Sequence, residues 1–187
     1  MAILTRVVRF GVAGVLAMGT SRGLTAVEQR TSTAEDAIKA TFLFNFTKFV
    51  DWPPPADAAA PFRICIAAEP AFAEAVDRTI VGETVRGRPL ERVLVSTPND
   101  ARACQILFIG RGEAQRVERW IAPVRDLPVL LVGESRGFWE KGGHINFVLD
   151  DNHVRFDVNQ DTASRTGLVI SSKLLRVARN VTARGSP

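Results

Sequence analysis

Two histidines and two cysteines are all that this chain of 187 residues offers for transition-metal chemistry. His144 and His153 fall on the two limbs of an expected hairpin, at different heights rather than opposite each other. They lack the further clustered ligands that a metal site requires, so no metal is expected. Neither cysteine has a histidine at readable spacing, and no nucleophile–base pair stands out. A dinucleotide fingerprint is incomplete. Gly110-Arg111-Gly112 follows an apolar run, but the third glycine position holds Gln115, which leaves a tight turn as the plain reading. No cofactor is expected, and hydrolase and oxidoreductase are the classes least supported. Long apolar stretches are missing too: Phe10 to Met18 falls well short of the roughly 18–20 residues of a spanning helix. There is no internal repeat, and only the alanine–proline stretch at residues 53–61 has low complexity.

What the N-terminus does have is the layout of a secretory leader. Arg6 and Arg9 precede that short apolar run, and small residues follow, with cleavage expected after residue 23 or 26. The leader, residues 1–26, holds three of the 24 basic residues and no acid. Its removal leaves 21 basic residues against 20 acidic ones. The basic balance of the whole chain therefore belongs mostly to the leader. A nucleic-acid partner calls for a clustered basic face. Only Lys173, Arg176, Arg179 and Arg184 approach one, and they read as the solvated face of a terminal helix. Export bears on the cysteines. Cys65 in Phe62–Ala68 and Cys104 at the head of Cys104–Gly110 both sit in strand-like apolar runs. In an oxidising compartment, two cysteines without a third favour one intramolecular disulfide over a pair of buried thiols.

The rest of the chain reads as alternating elements. Ser32 with Glu35, or Thr33 with Asp36, has the spacing of a capping box, which predicts a helix starting there. Ile38, Phe42, Phe46 and Phe49 recur at helical spacing, with Leu43 and Val50 widening the stripe. Phe44 falls off that line and is expected at the surface or over a sheet edge. Trp52 and Pro53–Pro55 end the helix. Strands are predicted at Phe62–Ala67, Arg92–Val95 (exposed or at an edge), Ile106–Ile109 and Val129–Val132, and helices at Phe72–Ile80 and Ala114–Ile121. Ile145, Phe147 and Leu149 alternate, Asp150–Asn152 turn, and Val154, Phe156 and Val158 alternate back, which marks a hairpin. A basic amphipathic helix over 171–180 closes the chain. Strands apolar on both faces, alternating with helices, indicate an α/β three-layer sandwich with a largely parallel or mixed sheet, plus a C-terminal hairpin and helix. One domain over residues 34–181 is expected. The sequons at Asn45 and Asn180 are read as chance.

Lys39-Ala40-Thr41-Phe42-Leu43-Phe44-Asn45-Phe46-Thr47-Lys48-Phe49-Val50-Asp51-Trp52-Pro53 resembles the opening helix of the YfiR-like (YfiR/HmsC) family, periplasmic repressors of membrane diguanylate cyclases. Gly87-Arg88-Pro89, the two cysteine-bearing strands, Gly142-Gly143-His144-Ile145-Asn146-Phe147-Val148, Val154-Arg155-Phe156-Asp157-Val158-Asn159, and Gly167-Leu168 with Ser171–Leu175 are similar to that family's later motifs, in order over residues 37–181. The resemblance implies a non-enzymatic periplasmic regulator in cyclic di-GMP signalling and biofilm control. Such a protein would bind the periplasmic sensing domain of an inner-membrane cyclase, without inserting into the membrane once the leader is cleaved. It also implies redox sensitivity through disulfides, but the family's second cysteine pair is missing between Arg136 and His153. The alternative reading makes this protein a soluble periplasmic small-molecule sensor that binds an amino acid or an aromatic metabolite and passes that state to a membrane partner. A homodimer is compatible with either reading. The expected contact surface is Phe138, Trp139, Ile145, Phe147, Val148, Val154 and Arg155, because this segment holds more apolar residues than a two-stranded hairpin buries on one face. Ile145, Phe147, Val154 and Phe156 belong to an inward set, Phe138, Trp139 and Val148 are the exposed candidates, and Arg155 and Asp157 supply a polar rim.

Overall fold

The computed structural model describes residues 22–182, with side chains from Thr33 onward. Most of the expected leader lies outside these residues; Arg22 to Ala26, within its expected bounds, already belong to a helix. Helix α1 (Arg22–Phe49) leads into a two-residue strand β1 (Val50–Asp51). There follow β2 (Phe62–Ala67), α2 (Pro70–Ile80), β3 (Thr84–Val85), β4 (Arg88–Leu94), β5 (Ile106–Ile109), α3 (Val117–Ile121) and β6 (Leu130–Gly133). The chain closes with β7 (Ile145–Asp150), β8 (His153–Asn159), α4 (Gln160–Arg165), β9 (Val169–Ile170), α5 (Ser172–Val177) and β10 (Asn180–Thr182). Short 3-10 helices flank α3 and precede β5.

Eight strands form one mixed sheet in the order β10-β8-β7-β6-β5-β2-β4-β3. Its five central strands run parallel, β8 returns antiparallel to β7, and β10 lies parallel to β8. The apolar runs are explained by two cores, one on each face. In β5, Ile106 and Phe108 pack under α1 and α2, while Leu107 and Ile109 pack against α3 and its neighbouring turns. β2 and β6 divide their side chains the same way, as strands covered on both faces must. β1 pairs with β9, fastening the end of α1 to the C-terminal segment through the register Val50↔Ile170.

Three local expectations need correction. The helix does not begin at Ser32 or Thr33. The preceding stretch contains no proline and is rich in good helix formers, so the cap-like residues are traversed. The buried stripe of α1 is also rotated from the phenylalanine line. Ala40, Leu43, Phe46, Thr47 and Val50 are wholly buried, whereas Ile38 is 46% exposed. At about 100° per residue Ile38 points some 140° from Leu43, so the Ile38–Phe42–Phe46–Phe49 line is the margin of the stripe and not its centre. Phe44, on the opposite margin, is half-buried with the Lys48 ammonium 3.8 Å from its ring centroid. Finally, the terminal helix is only α5. Arg179 reaches back in a bidentate pair to Asp157 of β8, with Asn180 on the same carboxylate, and this draws the chain out into β10. The β-branched Val181 and Thr182 suit that strand. Of the four basic residues read as a helix face, Arg179 is thus an anchor, and Arg184 lies outside the described residues.

Candidate functional site

Cys65, in β2, and Cys104, just ahead of β5, are joined in a disulfide with a Cα–Cα separation of 5.9 Å. The bridge is buried in the core beneath α3. Gly110-Arg111-Gly112 is the tight turn that the sequence suggested. A Cβ on Gly110 would lie 2.5 Å from that of Ala68, so the backbones approach as closely as glycine permits.

The segment after β6 is built around Phe138. Its ring is wedged between Gly133 and Gly143, where added Cβ atoms would come within 2.5 and 2.1 Å of it. Phe138 is therefore buried, at 1% exposure, and is not the surface aromatic expected. The paired glycines exist to admit the ring, a relation invisible until β6 and the loop are folded together. Trp139 is the half-buried member of the pair.

β7 leaves β6 early: the register ends at Gly133↔Asn146, so Phe147 to Asp150 and their β8 partners project beyond it. One face of this hairpin, carrying Ile145, Phe147, Phe156 and Val158, is buried. Phe42 and Phe46 of α1 cover it, with ring centroids 5.3–6.3 Å from one another and from Phe147 and Phe156. Ile145 and Phe147 thus lie in the core, as the inward set required. Val154 is half-buried against the same core. On the other face Val148 is half-buried and Arg155, its cross-strand neighbour, is exposed. Leu149, not among the expected contact residues, is 56% exposed near the tip.

A charged group meets at the mouth of the sheet. The Lys39 ammonium is buried between the carboxylates of Glu35 and Glu134, and Glu134 also accepts the Arg111 backbone N–H at 2.9 Å. The Arg111 guanidinium lies 3.4 and 3.5 Å from the two glutamates. Burial raises the pKa of the neighbouring Asp36 carboxyl, with Lys39 opposing the shift. Sequence reasoning missed this cluster because Lys39 looks like any polar residue beside an apolar stripe, and its partner is 95 positions away.

One motif also escapes the reading above. Gly133-Glu134-Ser135-Arg136-Gly137 spells G-x-S-x-G after a buried strand, the pattern of a hydrolase nucleophile elbow. An elbow needs a strand-to-helix turn that presents the serine to a base. Here turns lead from Gly137 into β7 without a helix, and Ser135 is buried with no hydrogen-bond partner on its Oγ. Neither histidine serves it. His153 sits at the hairpin turn, and His144 Nδ1 accepts the Leu131 N–H at 3.1 Å. Burial first, then the charge of Arg165, lowers the His144 pKa to about 3, so its ring is neutral. Among the described residues no group of three or more His, Cys, Asp or Glu is placed to hold a metal ion.

Two solved structures align with part of this chain. A conserved domain protein from Vibrio cholerae is 14% identical, with 64% of this chain and 54% of that one covered at a TM-score of 0.48. An ABC domain from Streptococcus pneumoniae, solved with L-Trp, is 12% identical, with 65% and 55% covered and the same TM-score of 0.48. This chain spans little more than half the length of either. The match to a family model reaches much further. The description YfiR/HmsC-like fits residues 36–179, from the middle of α1 to the anchor arginine before β10, and the chain belongs to the YfiR/HmsC-like family.

Proposed function

We propose that this protein is a periplasmic regulator, and not an enzyme, that binds the periplasmic sensing domain of an inner-membrane signalling protein and represses a diguanylate cyclase. The observation that carries the reading is the family match over residues 36–179. The working unit is residues 34–181 after removal of the leader. No helix among the described residues is long and apolar enough to cross a membrane.

The projecting hairpin supports contact with a protein partner. Its α1-covered face is committed to the core, so the contact falls on the opposite face and the tip: Val148 with Arg155 beside it, Leu149, and Trp139 at the rim. Phe138, Ile145 and Phe147 are left out, since burial denies them to a partner. A small apolar centre with a charged edge is the usual anatomy of such contacts.

Two measurements test this. Deleting the gene should raise cellular cyclic di-GMP, and an unchanged level would remove the repressor reading. Val148→Asp and Leu149→Asp, each melting like the parent protein, should weaken co-purification of the partner's periplasmic domain at least about tenfold, the scale of one lost central contact. Full binding by both variants would move the contact off the hairpin.

A further inference from the structure

A cleft of about 470 Å³ opens between the loop after β6 and the projecting strands of the hairpin, with Arg111 at its edge. It lies beyond the carboxyl ends of β5 and β6, where α/β sheets commonly bind ligands. Buried polar groups are almost always hydrogen-bonded, so exceptions call for a reason. Among the described residues four buried side-chain atoms have no partner, and Ser135, Trp139 and Asn146, which line this cleft, supply three of them: Oγ, Nε1 and Oδ1. Ser135 is itself only 7% exposed.

The character of the ligand follows from which groups are free. Glu134 is occupied by Lys39 and the Arg111 N–H, and Asp157 by Arg179 and Asn180. The Ser135 hydroxyl and the Trp139 N–H remain as neutral donors. Arg111 and Arg136 also line the cleft and are exposed, the first at 70% and only loosely paired. Asn146 Oδ1 is a free acceptor, and Glu140, the uncommitted acid of the lining, is exposed. Two guanidiniums and two neutral donors suit carboxylates, while the free acceptor and Glu140 require a donor on the same molecule. We infer that this cleft binds a small dicarboxylate that also carries a hydroxyl or an ammonium group. The cleft shares Trp139, Val148 and Leu149 with the proposed partner surface, but ligand binding is measured on the isolated protein, so its failure is distinguishable from failure of the partner reading.

Trp139 supplies a built-in reporter. The chain has three tryptophans. The Trp52 indole N–H donates to the Gln105 carbonyl at 3.0 Å and that of Trp120 to Glu113 Oε2 at 2.7 Å, leaving only Trp139 unbonded. In ¹H–¹⁵N spectra of the full mature chain, with the Trp139 indole assigned through Trp139→Phe, L-malate or L-aspartate should shift that resonance saturably and leave the other two in place. Succinate, which lacks the donor, should bind several-fold more weakly. Ser135→Ala and the exposed Arg136→Gln should each weaken the response about tenfold or more, as expected for hydrogen bonds to a charged group. Should Ser135→Ala fail to fold, Arg136→Gln carries the test. The assignment is overturned if neither malate nor aspartate moves the Trp139 signal, if inorganic phosphate or succinate acts as strongly, or if all three indoles shift together.

Discussion

Replacing Phe46 by alanine tests the packing of α1 on the hairpin more directly than any other change. The ring is wholly buried and lies 6.3 Å from Phe42, 5.9 Å from Phe147 and 5.4 Å from Phe156, centroid to centroid. Truncating a buried phenylalanine costs about 3–5 kcal/mol, depending on how far the site collapses. Collapse is poor here, because the neighbours are stiff rings held by different elements, and aromatic pairs add roughly 0.5–1.5 kcal/mol beyond area. A loss of about 4 kcal/mol follows, or roughly 8–16 °C in Tm for a chain of this size. Ile38→Ala is the informative control. The two residues share the line of helical spacing, yet Ile38 is half exposed, so its loss should stay below about 1 kcal/mol. Urea denaturation followed by far-ultraviolet circular dichroism, with the disulfide intact, measures both. Equal destabilisation by the two variants, or Phe46→Ala melting like the parent, would refute the helix rotation described above.

Three further outcomes follow from the core. The folded-state pKa of His144 lies far below its ordinary value, so its contribution is fully present above about pH 6.5 and is lost as pH falls towards 3; by pH 5 the loss is about 2 kcal/mol, and His144→Gln should flatten that part of a stability–pH profile. Joining residues 39 positions apart, the disulfide restricts the unfolded chain by about 4 kcal/mol in the entropy model, so Cys65→Ala/Cys104→Ala should lower the unfolding free energy from urea melts by that order, and an unchanged value would count against the bridge. Gly143→Ala should destabilise strongly because its Cβ would meet the Phe138 ring, and the added substitution Phe138→Leu should recover part of the loss in a double-mutant cycle; purely additive effects would mean the wedge is wrong.

How far the sequence could be read depended on where each residue's environment comes from. β2, β5 and β6 were legible because a strand buried on both faces is apolar at every position, and that requirement is local. The hairpin was legible through its alternation and its Asp150–Asn152 turn, where Asp151 and Asn152 take positive φ. The rotation of α1 was not. Phenylalanine dominates any reading by size, but Ala40, Leu43 and Thr47 face the centre of the sheet because the helix must approach it closely there, and the larger rings fill the wider margin where the hairpin projects. Lys39 and Phe138 misled in the same way. A lysine becomes a core residue only when Glu134 arrives from β6, and a phenylalanine beside glycines turns inward only when Gly133 and Gly143 leave room for its ring. The C-terminal segment follows this rule too: six residues of helical pattern hold as α5, and two residues later Asn180–Thr182 become strand because Asp157 captures Arg179 and Asn180. The candidate site was half visible for that reason. Val148 and Arg155 could be placed on the hairpin from alternation alone. The unpaired Ser135, Trp139 and Asn146 come together only because β7 runs past the end of β6 and the intervening loop folds back onto Phe138. Interactions that bridge distant positions decide what this protein exposes, and so they decide which of its surfaces can act.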